Sequence, residues 1–325
     1  MSRAVVARAP TRIDFGGGWT DVPPYCDNEG GFVCNVAINR YATATVTGGG
    51  PPATSRPASP VSRPGRDSSL IAAALRRSHT HDVAVSLEND FPVGAGLGGS
   101  SAASAAVLGA LAVWRGESWG AREIAEEGRQ IEVEDLGVAG GRQDHYAATH
   151  GGALALTFTT SVAVRRIPLT DGTRAELERR ALLLYTGESR ISGGNITEVL
   201  NAYRAGERRV LIALAQMKAL AAEMADALER GDLDRLGALV DEHWTHQRAL
   251  HPAIPTPRID EIVERAMASG ARGAKAMGAS GGGCVLVIAG EDNVDDVLAV
   301  VAPLGTIFPF AVDLDGLTCS SPAPG

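Results

Sequence analysis

The sequence predicts a chain of mixed helices and strands, large enough for two domains or for one large one. It has 325 residues, of which 45% are hydrophobic, and this is ample for a buried core. Short strands and glycine-rich loops fill the first part of the chain, whereas long helices predominate further on. We place the boundary at residue 175, which gives domains of residues 1–175 and 176–325.

The composition excludes several classes of protein. A net charge of −8 argues against a general nucleic-acid or anionic-membrane surface. No apolar run reaches the roughly 18 residues of a membrane span, and the N-terminus lacks a signal-peptide core. The four cysteines are scattered, so neither a disulfide framework nor a zinc site is indicated. We therefore expect a cytoplasmic protein without nucleic-acid or membrane partners.

The first elements are a strand over residues 3–9, a loop over residues 10–25 and two strands over residues 31–38 and 41–46. Loops with polar clusters on a strand scaffold are common ligand sites, although a glycine-rich hairpin would look similar. We favour a site for hydroxyl groups, since this loop carries Arg12, Asp14, Trp19, Thr20 and Asp21.

Residues 48–69 are rich in Gly, Pro, Ser and Arg, and they predict a flexible surface loop. A helix over residues 70–77 and a strand over residues 83–87 follow. They lead to the first glycine loop, residues 92–101, and to an alanine-rich helix over residues 101–114. Glycines let the backbone approach a ligand closely, and the free N–H groups of a helix start suit polyphosphate. We interpret this stretch as a nucleotide-phosphate loop, with a serine-capped glycine turn as the alternative.

Two common phosphate motifs fit the first glycine loop poorly. The spacing Gly94-x-Gly96-x-x-Gly99 matches a dinucleotide fingerprint, but Pro92 interrupts the strand that should precede it. A Walker loop needs Gly-Lys-Ser or Gly-Lys-Thr, and the sequence contains neither triplet. If the loop binds ATP, it does so through backbone amides and serines.

A helix is predicted over residues 121–136, and a glycine-rich turn after it delivers Asp144 close to Arg142. An aspartate after glycines is usually a turn or cap residue. The pairing of Asp144 with Glu132, one loop away, favours a magnesium or general-base role. Strands over residues 154–156 and 162–164 close this part of the chain.

The second part begins with a strand over residues 182–186. Its helices are predicted over residues 194–202, 205–230, 232–249, 258–269 and 292–303, with a last strand over residues 306–312. The apolar stripe from Leu211 to Leu228 steps by three or four residues and indicates core packing. His243, His246 and His251 resemble a metal cluster, but a helix surface or a substrate pocket is the favoured interpretation.

A second glycine-rich stretch spans residues 273–283 and runs into a strand; its residues 278–283 form the second glycine loop. The spacing Gly278-x-Ser280-x-Gly282 matches a nucleophile elbow. We reject a hydrolase because no histidine follows Ser280 and because the elbow should run from a strand into a helix. We expect this loop to pack beside the first one.

Three motifs in this order, residues 8–21, 92–103 and 278–283, resemble the GHMP small-molecule kinase family. Within it, residues 141–148 and 185–190 look like the D-glycero-D-manno-heptose 7-phosphate kinase branch, and residues 17–26 are equally similar to the L-fucokinase domain. Both branches phosphorylate a sugar at its anomeric hydroxyl. The resemblance implies an α+β fold, with a ribosomal-S5-like N-terminal domain, a ferredoxin-like C-terminal domain and the active site in the cleft between them.

The resemblance also implies ATP and Mg²⁺ as cofactors and a role for each motif. Asp144 would accept or orient the proton of the sugar hydroxyl, and Arg12 would stabilise the transferring phosphoryl group. Ser100 or Ser101, with Glu132, would hold Mg²⁺. The nucleotide-binding residues would be Pro92, Gly94, Ala95, Gly96, Leu97, Gly98, Gly99, Ser100, Ser101, Gly281 and Gly282. The substrate-binding residues would be Asp14, Gly17, Gly18, Trp19, Thr20, Asp21, Gly141, Arg142, Arg190 and Lys275.

The expected function is ATP- and Mg²⁺-dependent phosphorylation of a sugar at C1, with D-glycero-D-manno-heptose 7-phosphate as the favoured acceptor. Arg142, Arg190 and Lys275 are the candidates for its 7-phosphate. The alternatives are a C1 kinase of a fucose-like sugar and a kinase of another polyol, a cyclitol or a nucleoside. A non-catalytic sugar and nucleotide sensor is the alternative of a different class. The expected partner is a small sugar or sugar phosphate, and a homodimer is compatible with the sequence.

Overall fold

Within residues 3–49, 64–188 and 193–320, which the computed structural model describes, the chain forms ten strands and eleven α-helices. The strands are β1 (Ala4–Gly16), β2 (Gly31–Gly48), β3 (Val83–Asn89), β4 (Ala153–Phe158), β5 (Val162–Ile167), β6 (Ala181–Tyr185), β7 (Ala271–Ala276), β8 (Cys284–Ala289), β9 (Thr306–Ile307) and β10 (Thr318–Ser320). The helices are α1 (Tyr25–Glu29), α2 (Pro64–Arg77), α3 (Gly99–Arg115), α4 (Ala121–Gln130), α5 (Gln143–His150), α6 (Asp171–Arg180), α7 (Gly193–Arg204), α8 (Arg208–Arg230), α9 (Leu233–Leu250), α10 (Pro257–Ala268) and α11 (Val294–Val301).

The first sheet has the order β10-β1-β2-β4-β5, with β3 also paired to β2. Its strand β1 continues past Pro10, so the prediction of a loop directly after residue 9 is wrong. A register shift between Pro10 and Thr11 accommodates the proline, which has no N–H for the ladder. Arg12 and Asp14 therefore project from a strand, which fixes their positions more tightly than a loop would.

The second sheet has the order β7-β8-β6-β9. A buried apolar cluster joins it to the first sheet, with Phe15 of β1, Met224 of α8 and Leu286 of β8 among its members. The predicted stripe on α8 is buried from Leu214 to Leu228, but Leu211 is 37% exposed and does not belong to the core. The predicted α+β fold class is confirmed.

Several elements escaped prediction. Strand β7 lies in the stretch that was expected to be a loop. The small residues of β7 show no polar–apolar alternation, so the sequence pattern does not indicate a strand. Gly273 of β7 packs on the backbone of α9, where an added Cβ would overlap the Gly237 carbonyl oxygen. Helices α5 and α6 were also missed, and the predicted helix over residues 121–136 ends in a π-helical turn, Ile131–Asp135. The predicted last strand reduces to β9 and an isolated bridge between Ile38 and Val312.

The predicted surface loop over residues 48–69 is too long, because α2 already begins at Pro64, and proline is favourable in the first turn of a helix. Residues 50–63 of that loop lie outside the described residues. The domain boundary at residue 175 stays a prediction; α6 spans it, and β10 returns to pair with β1 of the first sheet. In the described part of the chain, no helix combines the length and the apolar character of a membrane span.

Candidate active site

A cavity of about 530 Å³ brings together most of the predicted site residues. Its walls come from β1, the first glycine loop, the start of α3, the π-helical turn, the start of α5 and the second glycine loop. The predicted site residues that line it are Arg12, Asp14, Gly18, Trp19, Asp21, Pro92, Gly94, Ala95, Gly96, Leu97, Gly98, Gly99, Ser100, Ser101, Glu132, Gly141 and Asp144.

The first glycine loop presents the N-terminus of α3 to this cavity. Helix α3 begins at Gly99, directly after Gly98 in the left-handed region with φ 74°, and no side chain caps its first N–H groups. An uncapped helix start with its partial positive charge is a favourable site for an anion. Ser100 and Ser101 add hydroxyl groups to the same wall.

The second glycine loop packs beside the first, as predicted. Cys284 N donates to Ala95 O at 2.8 Å, and a Cβ on Gly278 would lie 3.1 Å from Gly96 Cα. Glycine at both positions allows the two backbones to touch.

The cavity wall from the second glycine loop consists of Gly278 and Ala279, so the predicted nucleotide-binding residues Gly281 and Gly282 do not line it. Gly281 N donates to Ile254 O at 2.9 Å, and a Cβ on Gly282 would lie 2.8 Å from Glu188 O. The hydroxyl of Ser280 accepts from Gln247 Nε2 at 3.1 Å. These residues therefore fix the second glycine loop through contacts on the side away from the cavity.

Asp144 lies in the first turn of α5, where the helix dipole favours a carboxylate. Arg12 Nε donates to Asp144 Oδ1 at 2.8 Å, and Arg12 Nη1 donates to Gly96 O at 2.5 Å. Arg12 Nη2 lies 2.8 Å from Asp144 Oδ1 and completes the ion pair. The guanidinium thus links Asp144 to the first glycine loop. A Cβ on Gly98 would lie 3.0 Å from Asp144 Cγ, so the absent side chain makes room for the carboxylate.

Glu132 reaches the cavity from the π-helical turn, a local irregularity that often accompanies functional sites. His145 Nε2 lies 3.5 Å from Glu132 Oε2. Burial lowers the pKa of His145, although the Glu132 carboxylate opposes this. Glu132, Ser100, Ser101 and Asp144 provide carboxylate and hydroxyl oxygens on one cavity, the donor chemistry that Mg²⁺ prefers.

Asp21 is 2% exposed and accepts from Gln143 N at 3.0 Å, at the start of α5. A Cβ on Gly141 would overlap Asp21 Oδ2, so only glycine fits there. Burial raises the pKa of Asp21 to about 6, with the neighbouring carboxylates of Asp144 and Asp14 adding to the effect of burial.

Four predicted substrate residues do not reach the cavity. Lys275 is fully buried and donates from Nζ to Asp14 O at 3.0 Å and to Phe15 O at 3.3 Å. Thr20 donates to Gly17 O at 2.7 Å and accepts from Phe32 N, so its hydroxyl is committed to the fold. Gly17 and Arg142 are also absent from the described cavity wall. The structure therefore places Lys275, Thr20, Gly17 and Arg142 off this cavity wall, and their part in substrate binding stays a prediction; Arg190 lies outside the described residues.

Three polar residues around the site were not among the predicted site residues, although His243 was noted as a helix-surface or substrate-pocket candidate. Gln143, next to Asp144 in the sequence, lines the cavity. His243 Nε2 accepts from Gly17 N at 2.9 Å, and burial together with nearby Lys275 lowers the pKa of His243 well below its usual value. Gln247 donates to the carbonyls of Ala276 and Gly278. Gln143 carried a signal in its position beside a predicted catalytic residue, and His243 carried one in its place in the histidine cluster.

Replacing Asp21 by asparagine is expected to change how stability depends on pH. Between about pH 4 and pH 6 the native carboxyl binds a proton that the unfolded chain releases, since its pKa rises from 3.8 to about 6. Rising pH therefore lowers the free energy of unfolding of the wild type relative to Asp21→Asn, by about 2–3 kcal/mol, because a tenfold shift in proton affinity is about 1.4 kcal/mol. Urea titrations from pH 4 to 7 measure this difference, and a constant difference would contradict the assignment.

Comparisons with known proteins agree with this architecture. The family profile "GHMP kinases N terminal domain" matches residues 68–152, and "GHMP kinases C terminal" matches residues 224–303. A D-glycero-alpha-D-manno-heptose 7-phosphate kinase of Campylobacter jejuni is 30% identical over 300 residues, which cover 86% of this chain and 88% of the relative.

Two further matches cover most of this chain. An L-fucokinase/L-fucose-1-P guanylyltransferase of Bacteroides fragilis is 30% identical over 329 residues, covering 88% of this chain but only 34% of that longer protein. The crystal structure of a D-glycero-D-manno-heptose 1-phosphate kinase from Bacteroides thetaiotaomicron is similar with a TM-score of 0.77 and 25% identity, covering 97% of this chain and 98% of that one. The fold, the ordered motifs and these matches together show that the chain belongs to the GHMP kinase family and is a sugar or small-molecule kinase.

Proposed function

We propose that the chain transfers the γ-phosphoryl group of ATP, with Mg²⁺, to the anomeric hydroxyl of a sugar. The favoured acceptor is D-glycero-D-manno-heptose 7-phosphate, which would give the 1,7-bisphosphate. The observation that carries the proposal is that the uncapped start of α3 and the Arg12–Asp144 pair line the same cavity. The similarity to a heptose 7-phosphate kinase supports the choice of acceptor.

The residues of the cavity suit each task of phosphoryl transfer, which requires placement and charge stabilisation more than covalent chemistry. The N–H groups at the start of α3 bind the polyphosphate, and Asp144 accepts the proton of the attacking hydroxyl. The new O–P bond then forms as the bond to ADP breaks. Ser100 or Ser101, with Glu132, would hold Mg²⁺, which neutralises phosphate charge when it is bound.

The contacts of Arg12 point to a role different from the one that the resemblance implies. Its Nε donates to Asp144 Oδ1, its Nη1 donates to Gly96 O and its Nη2 lies 2.8 Å from Asp144 Oδ1, and the residue is 4% exposed. We infer that Arg12 orients the base and the first glycine loop relative to one another. Direct stabilisation of the phosphoryl group by Arg12 stays a prediction.

The charge of the cavity favours a second candidate, a C1 kinase of an unphosphorylated sugar. Among the described residues that line the cavity, Arg12 is the only cation, and the acidic residues are Asp14, Asp21, Asp67, Glu132 and Asp144. Since Arg12 is bonded to Asp144 and Gly96, no cation of the described cavity lining is left to bind the phosphate of a sugar phosphate, which favours a neutral polyol. The similarity to an L-fucokinase supports this candidate as well.

A panel of free sugars and sugar phosphates, assayed for ADP release with Mg²⁺ and ATP, separates the candidates. Preference for heptose 7-phosphate supports the favoured function, and preference for a fucose-like sugar supports the second. ATP binding without ADP release on any member would instead indicate a sensor.

Replacing each serine at the start of α3 by alanine is expected to weaken the use of Mg-ATP unequally. Ser101 is 3% exposed, whereas Ser100 is more open, so the two hydroxyls present different access to a metal. The serine that holds Mg²⁺ should show at least about a tenfold rise in the Mg²⁺ concentration needed for half-maximal rate. Titrating Mg²⁺ at saturating ATP measures this. Negligible and equal effects would remove both serines from the metal site. Ser269→Ala, at the C-terminal end of α10 and outside the cavity lining, serves as control.

A further inference from the structure

We propose that Gln143 donates a hydrogen bond from its side-chain amide to a hydroxyl of the acceptor sugar and so determines specificity beside Asp144. This inference rests on the proposed sugar kinase function and adds a residue to the same site. Gln143 lines the cavity, and it directly precedes Asp144 at the start of α5.

Two hydrogen bonds fix the orientation of Gln143. Its backbone N donates to Asp21 Oδ2 at 3.0 Å, which holds the start of α5. Its side-chain Oε1 accepts from Asn35 Nδ2 at 3.2 Å, and Asn35 is fully buried on β2. Since Asn35 occupies the oxygen end of the carboxamide, the NH₂ end points away from it.

The NH₂ end of Gln143 and the carboxylate of Asp14 both lie next to Gly18. A Cβ on Gly18 would lie 2.9 Å from Gln143 Nε2 and would overlap Asp14 Oδ2. All three residues line the cavity. Glycine at position 18 therefore opens the space into which both polar groups project.

Both groups have unused hydrogen-bonding capacity. Asp14 is 3% exposed, and its Oδ1 has no hydrogen-bond partner, while Lys275 Nζ lies 3.6 Å from its Oδ2. Gln143 Oε1 accepts a hydrogen bond, but Gln143 Nε2 donates none to another described residue. Of the two Asp14 carboxylate oxygens, Oδ2 faces the opening at Gly18. An acceptor and a donor with spare capacity therefore border the same opening, which favours a ligand that supplies both complementary groups.

A sugar matches this acceptor and donor pair. Each hydroxyl both donates and accepts, so one hydroxyl can donate to Asp14 while it or its neighbour accepts from Gln143. Sites that hydrogen-bond a substrate hydroxyl discriminate strongly against analogues that lack it. We therefore expect the pair to select for a free hydroxyl close to the reacting carbon.

The test combines Gln143→Met with monodeoxy analogues of the sugar that the wild type accepts. Gln143→Met should lower kcat/KM for the parent sugar by about 10- to 100-fold, with the KM for ATP changed less than about twofold. On the deoxy analogue that lacks the hydroxyl bound by Gln143, the kcat/KM of the wild type should fall by a similar factor. The kcat/KM of Gln143→Met should fall little further on that analogue. Gln216→Met, exposed on α8, is the matched control.

The outcomes separate this inference from the proposed function. If the losses of kcat/KM from Gln143→Met and from the missing hydroxyl multiply on every deoxy analogue, the role of Gln143 is overturned, while the proposed kinase function is not. A wild type that releases no ADP with any sugar would overturn both. If Gln143→Met unfolds at a much lower temperature than the wild type, Gln143→Asn replaces it in the test. Asparagine keeps the amide but is too short to reach the hydroxyl, so its loss of kcat/KM should likewise not multiply with that of the deoxy analogue.

Discussion

Asp144→Asn is expected to lower kcat by about three orders of magnitude while leaving ATP binding nearly unchanged. The amide keeps the shape of the carboxylate and an oxygen for the Arg12 guanidinium, so the fold around α5 should persist. It has no negative charge with which to accept the proton of the sugar hydroxyl, and positioned acid–base groups contribute about 10²- to 10⁴-fold. Steady-state kinetics give kcat, and calorimetry with ATP gives the affinity.

The control is Asp171→Asn, since this aspartate lies at the start of α6 with a side chain 96% exposed. It should retain wild-type kinetics. Near-normal turnover in Asp144→Asn would contradict the assignment of Asp144 as the base. A loss of ATP binding equal to the loss of turnover would show that the carboxylate acts on the nucleotide.

Arg12→Lys is expected to lower kcat by about 100-fold and to reduce thermal stability. The guanidinium reaches Asp144 Oδ1 and Gly96 O together, whereas a lysine ammonium is a point charge without that fork. Asp144 and the first glycine loop would then shift relative to each other. A misplacement of about 1 Å between reacting groups can cost about 10²-fold.

A double-mutant cycle decides how Arg12 acts. If Arg12 works by orienting Asp144, Arg12→Lys should cost little more in the Asp144→Asn background than Asp144→Asn costs alone. Fully multiplying losses would instead assign Arg12 the direct role on the phosphoryl group that the resemblance implies. Arg122→Lys, which removes a surface arginine bonded to Val162 O, serves as the matched control.

The sequence predicted those parts of the site that depend on glycine-rich backbone and on the order of motifs along the chain. The first glycine loop was predictable because glycines before an alanine-rich helix indicate both close approach and a helix start, and the structure places Gly98 and Gly99 there. The packing of the two glycine loops was predictable for a similar reason. The position of Asp144 opposite Arg12 followed from the ordered family motifs, although α5 itself was missed.

Predicted site residues lie off the cavity where tertiary contacts already engage their side chains. Lys275 looked like a phosphate ligand, but the sequence does not show that β7 buries it beneath Asp14. Thr20 is likewise committed to the backbone of the turn. Gly281 and Gly282 serve the packing of the second glycine loop and not its cavity face, a distinction that depends on the turn geometry.

A crystal structure of the protein with a non-hydrolysable ATP analogue, Mg²⁺ and the accepted sugar tests the central claim most directly. We predict that the polyphosphate lies at the start of α3 and that the anomeric oxygen lies within hydrogen-bonding reach of the Asp144 carboxylate, about 2.6–3.2 Å. A triphosphate bound away from α3, or a different sugar hydroxyl facing Asp144, would contradict the proposed transfer to C1.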